Sequence, residues 1–434
     1  MRSRIVLLGV FLAASAPAAL AQQIDTLTLE KAVSLAIQHQ PSLRGSEAAV
    51  REAEAFARQA ISAFYPAVAF NASDTRNGGT TLLAPTISPG HLTYSSYTAA
   101  FQGNLTLWDF GKTSGRVSQN DYLADAASGD YAAAREVLAL NTEVAYFAYL
   151  EARRVVVVNE LALSTAASHL KQAQAFYSVG RRPQLDVTKA EVDSLNANVN
   201  LIQARNAFRV AKLNLENAMG VHPANDYPVS DSVEVPTTYT TLDSARRCAL
   251  SNRPEVIAAR ARLDAGRAAV AAAWGGHLPT VAAFGAYSWN NFNIPPLFSR
   301  WSAGLSFTLP IFQGFSLAAQ VQEAEAAQDI AQSNLEVLQE SVMLDVEQQW
   351  LAVREAAERA IATAKLVQEA QENLTLVERQ YAAGVATALD ESDAQLTLSN
   401  ARITDIQAQF DYRTSFVRLR RAMGLTVIPA EPAQ

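Results

Sequence analysis

Residues 301–314 read WSAGLSFTLPIFQG. Trp301, Ala303, Leu305, Phe307 and Leu309 alternate with Ser302, Gly304, Ser306 and Thr308, which predicts a strand with one greasy and one polar face. Earlier, at 97–111, the chain reads YTAAFQGNLTLWDFG and alternates in the same way. Weaker strand patterns precede both, at 68–73 and 281–289, making four strands in two pairs. Their expected spans are 65–77, 94–108, 280–292 and 300–311. After each pair the period switches from two to helical. From Gly111 to Phe176 and from Gly314 to Gln380 there is no proline, and Ala, Glu, Gln, Leu and Val predominate. Helices of such length would measure about 100 Å.

The two stretches belong to a duplication. Thr28-Leu29-Glu30 and Pro41 return as Thr241-Leu242-Asp243 and Pro254, 213 positions on. Leu105 to Leu107 and Phe110 match Phe307 to Leu309 and Phe312 at 202. Glu143 and Tyr146 match Glu347 and Trp350 at 204, and Met219-Gly220 matches Met423-Gly424 at the same offset. YSVGRRPQLDVTK at 177–189 matches YAAGVATALDESD at 381–393, again at 204, but Lys189 gives way to Asp393. The expected organisation is a first repeat over 22–220, a linker or equatorial segment over 221–240 rich in Pro, Ser, Thr and Asp, a second repeat over 241–424, and a tail over 425–434. Each repeat should open with a short helix ending before a proline (28–40; 241–253) and a second helix (42–62; 255–274). Each should close with a returning helix (185–219; 389–423) capped by Gly220 or Gly424.

The start of the chain indicates export. Arg2 and Arg4 precede an apolar run, Ile5 to Leu12, too short to span a bilayer, and Ala19-Leu20-Ala21 is a small-residue cleavage site. Residues 1–21 therefore read as a signal peptide. The formal net charge is −7 and becomes more negative without that leader, so no footprint for nucleic acid is present. The single cysteine, Cys248, excludes an intrachain disulfide framework. Phe110-Gly111-Lys112-Thr113 holds the GKT of a phosphate loop, but position 106, where its first glycine belongs, is Thr106. The five histidines stand singly, without metal-ligand spacing, and no nucleophile motif or cofactor site is evident. Acid pairs such as Glu323 and Glu325 read as solvated helix faces. An enzyme is not expected.

Four amphipathic strands cannot close a barrel, and an open edge in hydrocarbon would leave backbone groups unpaired. Two chains give eight strands with a filled interior, whereas three give twelve with a lumen. Tyr94, Trp108, Tyr287, Trp289 and Trp301 suit the aromatic girdles of such a barrel. The alternative is a soluble periplasmic coiled-coil scaffold carrying a small β-sandwich.

Several motifs together resemble the TolC-type outer membrane efflux proteins over essentially the whole mature chain. They are Leu305 to Gly314, Gly276-His277-Leu278-Pro279, Val144-Ala145-Tyr146-Phe147 and the two Y-x-x-G-x-x-x-x-L-D turns. The resemblance implies an α+β membrane protein. A homotrimer would form a 12-stranded outer-membrane β-barrel, four strands per chain, continued by a long α-helical periplasmic barrel. It implies docking onto a periplasmic adaptor (membrane fusion protein) and an inner-membrane pump of RND, ABC or MFS type. Small molecules or drugs would be exported by a tripartite efflux system; the alternative is the exit duct of a type I protein secretion system.

On the same resemblance the two turns lie at the periplasmic tip, and Asp390 and Asp393 match the aspartate rings of a periplasmic gate. Three positions apart, they share a helix face; threefold symmetry would gather six carboxylates, attract cations and raise their pKa by mutual repulsion. Taken alone, Asp390 is also a first-turn acid favoured by capping and the helix dipole. Asp186 in the first copy is expected to have that role, or to accept a bond from a neighbouring tip residue. Tyr381 and a basic residue two after the glycine would latch the tip, with Asp186 and Tyr177 as further turn residues. That basic position is Ala386 here, so the resting tip should be held in another way. Val179, Gly180, Arg181, Gly384 and Val385 are the expected adaptor contacts.

Overall fold

The computed structural model describes residues 26–81, 90–221, 229–230, 241–291 and 298–425. The expected leader lies outside this range, as do most of the 221–240 segment and of the C-terminal tail.

Each repeat follows one order. In the first, α1 (Leu29–His39) and α2 (Pro41–Ile61) lead to β1 (Ala67–Thr81) and β2 (Gly90–Trp108), then α3 (Lys112–Ser178) and α4 (Gln184–Met219). The second has α5 (Leu242–Asn252), α6 (Pro254–Gly275), β3 (Thr280–Asn291), β4 (Phe298–Thr308), α7 (Ser316–Ala382) and α8 (Ala388–Ala422). Thr28 and Thr241 cap α1 and α5, each accepting a backbone N–H through its side chain. Both short helices stop before the pre-proline residue, and the proline opens the next helix, where its missing N–H costs nothing. The long helices α3 and α7 have 67 residues each, about 100 Å at 1.5 Å per residue. Equal lengths are the geometric form of the 204-residue offset. No helix among the described residues is long and apolar enough to cross a membrane.

The four strands form one antiparallel sheet in the order β1-β2-β3-β4, so the two hairpins join through β2 and β3. Phe70 pairs with Phe101, Phe101 with Tyr287, and Tyr287 with Trp301, which places four aromatics in one row across one face. Leu105, Ala283 and Leu305 form a second row on that face. The opposite face carries Gln102, Ser302, Asn104 and Ser306. Nothing among the described residues covers the greasy face: Trp301 is 74% exposed and Leu305 71%. The backbone of Tyr94 pairs with that of Asn77.

The passage from strand to long helix differs from the expected match of Phe110 with Phe312. The left-handed residues are Phe110 and Gly111 in the first repeat, Gly314 and Phe315 in the second. At the offset of 204 the equivalent positions have exchanged phenylalanine and glycine while keeping the backbone conformation. Thr113 of the GKT string donates to Asp109 Oδ2 from both its backbone N–H (2.8 Å) and its hydroxyl (2.5 Å). That string is a helix start.

The core sits where the short helices pack against the middle of the long ones. Tyr146, Phe147, Leu150, Met219 and Phe410 anchor one half, and Val256, Val346, Val353 and Leu419 the other. Buried Glu143 accepts from Arg420 at 2.5 Å, tying α3 to α8. Two described residues of the 221–240 segment are held to this core. Val229 bridges Leu27 in parallel, and the Ser230 N–H donates to the Leu27 carbonyl at 3.0 Å. The fully buried Tyr146 hydroxyl lies 2.7 Å from the Ser230 carbonyl and 3.1 Å from that of Leu27. Tyr146→Phe removes this donor and is expected to cost about 1 kcal/mol. Limited proteolysis should then cut faster near Val229 than in the parent; equal rates would show that the hydroxyl does not hold the segment.

Candidate functional site

The turns joining α3 to α4 and α7 to α8 have one construction. The Gly180 N–H donates to the Tyr177 carbonyl (2.9 Å) and the Arg181 N–H to that of Phe176 (2.9 Å). Gly384 and Val385 repeat this with Tyr381 (3.0 Å) and Gln380 (2.9 Å). Gly180 and Gly384 have φ of +69° and +80°, which only glycine adopts without strain. The recurrence of tyrosine and glycine is thus a recurrence of the helix stop.

The equivalent tyrosines then diverge. Tyr177 is 47% exposed and Tyr381 only 5%. Tyr381 lies beneath Arg182, whose guanidinium carbon is 4.5 Å from the ring centroid and whose Nη2 donates to the Tyr381 carbonyl at 3.3 Å. Burial pushes the Tyr381 phenol up, against the pull of Arg182. Arg182, two after Gly180 in the first turn, thus lies on the tyrosine of the second, while Ala386 is buried. The expected basic partner was sought only in the second turn, at Ala386, and Arg182 was missed from sequence.

Around Tyr381 a small cavity opens between the two helix hairpins, lined also by Asp186, Lys189, Asp193, Glu391 and Ser392. Lys189 Nζ donates to Asp193 Oδ1 at 2.6 Å and to Ser392 Oγ at 3.0 Å. The Ser392 hydroxyl donates to Asp193 Oδ2 at 2.7 Å. His169 Nδ1 on α3 meets Glu391 Oε1 on α8 at 3.0 Å. Lys189, first read only as the basic counterpart of Asp393, is thus part of a clasp between hairpins. His169, Asp193, Glu391 and Ser392 were missed from sequence, since they come together only when two hairpins lie side by side.

Asp390 and Asp393 are both exposed on α8. Asp390 is the third helical residue of a capping box: its Oδ2 accepts from the Thr387 N–H at 2.8 Å and from the Thr387 hydroxyl at 2.7 Å. These bonds hold the Asp390 carboxyl below the usual aspartate range, opposite to the rise expected from a ring of like charges. Within one chain the cap decides the direction. Asp186 is half-buried against Tyr381 in the cavity wall, and its N–H donates to the Pro183 carbonyl at 3.2 Å. Val179, Gly180, Arg181, Gly384 and Val385 are exposed at the turns.

The family of outer membrane efflux proteins matches residues 32–221 and 246–425, one match per repeat. Outer membrane protein TolC of Salmonella enteritidis is 26% identical over 341 residues, covering 75% of this chain and 68% of that protein. Outer membrane efflux protein BepC of Brucella suis biovar 1 is 23% identical over 400 residues, 92% of this chain and 85% of its own. The fold is that of a membrane protein from Pseudomonas aeruginosa, with a TM-score of 0.81 at 22% identity over 91% of this chain and 90% of that one. A duplicated chain with this fold, matched in both halves, belongs to the outer membrane efflux protein family; it is an outer-membrane export protein and not an enzyme.

Proposed function

We propose that three copies form a duct for efflux of small molecules or drugs. Twelve strands would close a barrel in the outer membrane, and twelve long helices would continue it through the periplasm. The observation that carries this reading is the open sheet. Its greasy face is uncovered, and β1 and β4 are edges with unpaired backbone groups, untenable in hydrocarbon. Because the strand number is even and all neighbours are antiparallel, β4 of one copy can meet β1 of the next antiparallel and the ring can close. The helices carry matching needs. Ile330, Val337, Leu344 and Leu351 stand exposed on α7 every seven residues, and Leu195, Val199 and Ile202 stand exposed on α4. Such stripes call for neighbouring helices.

In this reading the α7–α8 turn bears the gate, with Asp390 and Asp393 facing the narrow opening. The Arg182–Tyr381 contact and the Lys189–Asp193–Ser392 links keep the two hairpins together at rest. The Lys189–Asp193–Ser392 links are partly exposed and worth roughly 0.2–1 kcal/mol each, and the Arg182–Tyr381 contact is worth about 0.5–2 kcal/mol, weak enough for a docked partner to release. The exposed Val179 and Val385, with Arg181 beside them, offer a periplasmic adaptor its contact, and an inner-membrane pump of RND, ABC or MFS type would feed the duct.

The test is native mass and planar-bilayer conductance of the detergent-purified full chain. A trimer with small, cation-selective conductance is expected. Val199→Asp with Ile202→Asp should lower the trimer fraction roughly tenfold by placing charge in each seam. A chain that fractionates wholly as soluble monomer would rule out the duct.

A further inference from the structure

The His169–Glu391 pair differs in kind from the other links across the cavity. It joins α3 of the first hairpin to α8 of the second, and Glu391 is buried although charged groups surround it. Of the ion pairs His169–Glu391 and Arg420–Glu143, which both cross between these hairpins, the first carries an imidazole. Imidazole is the side chain whose ordinary titration lies closest to neutral pH. Its surroundings are mixed. Glu391 of α8 is its hydrogen-bond partner and Glu378 of α7 acts on it by charge. Asp186, Lys189 and Asp193 of α4 and Tyr381 of α7 share the cavity. Lys189 is already held by Asp193 and Ser392, so the acids of α7 and α8 dominate the field at the ring.

We propose that the His169–Glu391 pair is a proton-operated clasp, closing the first hairpin on the second while the imidazole is charged and loosening as it loses its proton. The inference rests on the reading of the tip as a gate and adds to it a dependence on periplasmic pH. The direction follows from linkage. The hydrogen bond to Glu391 and the charges of Glu391 and Glu378 raise the His169 pKa above 6.5, outweighing burial. A group whose pKa is raised in the closed state contributes fully below its free value, and that contribution is lost as pH rises through the raised one. Mild acid therefore favours a shut tip and alkali favours release. With the proton gone, the buried Glu391 carboxylate faces a neutral ring and keeps its desolvation cost without the compensating charge.

Spin labels at Val179 and Val385, one on each turn, report the separation of the hairpins directly. They would be placed in a Cys248→Ser background of the full chain, reconstituted in lipid. Between about pH 5.5 and about pH 8.5 the separated population should rise roughly fivefold in the parent. In His169→Gln, which keeps a neutral hydrogen-bonding side chain, and in Glu391→Gln, the distances should no longer respond to pH. Identical parent distributions at the two pH values would overturn the clasp, as would an undiminished response in His169→Gln. Conductance recorded on the same samples separates the two readings. Distances that move with pH while conductance does not would leave the clasp standing and refute the gate.

Discussion

Asparagine at both Asp390 and Asp393 is expected to abolish block of the reconstituted channel by multivalent cations and to remove most of its cation preference. Affinity for a trivalent cation should fall roughly hundredfold, since each of three chains would lose two carboxylates at one opening. Asparagine rather than alanine isolates the charge. The Asp390 carboxylate also caps α8 through Thr387, and an asparagine side-chain oxygen can still accept the Thr387 N–H. Alanine at position 390 would remove gate and cap together. The pH dependence in the parent has a definite sign. The Asp390 pKa is lowered by Thr387, so its charge is present above the lowered value and is lost only as pH falls through it. In the proposed trimer the cap opposes the rise that mutual repulsion among six carboxylates would bring, and block should weaken as pH falls and the carboxylates take up protons. Unchanged block and selectivity in the double asparagine variant, measured in planar bilayers, would remove these residues from the gate.

Gly129→Leu is expected to disrupt the protein at its waist. On α3, Gly129 lies so close to α6 that an added Cβ would be 2.9 Å from the Ala258 Cβ and 3.1 Å from the Pro254 carbonyl oxygen. Gly115, fourteen residues earlier and on the same face, meets Ala272 at 2.9 Å in the same way. The helices therefore touch through backbone at both points, and neither neighbour is a flexible side chain that could turn aside. Alanine at position 129 should cost about 1–3 kcal/mol through overpacking, and leucine more, because α3 and α6 would have to separate. Gly45→Ala provides the contrast. Gly45 lies within α2 with nothing within 4 Å of the built Cβ, and alanine there should stabilise by roughly 0.5–1 kcal/mol. Thermal unfolding followed by circular dichroism distinguishes them: the midpoint should fall in the first variant and rise slightly in the second. A Gly129→Leu protein as stable as the parent would contradict this seam.

The architecture was legible because its signals are local and repeated. The strand faces follow from alternation alone, so Trp301, Leu305 and Phe307 stand on one face as the pattern required. Prolines at 41 and 254 mark helix boundaries by steric exclusion at the preceding residue. The strand ends were less legible. β1 runs to Thr81 and β2 begins at Gly90, beyond the expected 77 and 94, because backbone pairing continues through residues that carry no hydrophobic alternation. The composition of the 221–240 segment likewise says nothing of the Tyr146 hydroxyl that holds the Ser230 carbonyl.

At the tip the division is sharper. The sequence by itself determined that the chain contains two copies of one helix-reversing turn, because tyrosine, left-handed glycine and the following Leu-Asp are requirements of a single backbone. It also determined that four amphipathic strands need company. Only the tertiary structure decided what each copy's side chains do. Tyr381 is covered by Arg182 while Tyr177 faces solvent, and Lys189 turns to Asp193 and Ser392. The physical reason is that local backbone geometry depends on neighbours in sequence and so repeats with them. Burial and pairing depend on which hairpin lies alongside, and the two copies, identical in turn, have different neighbours.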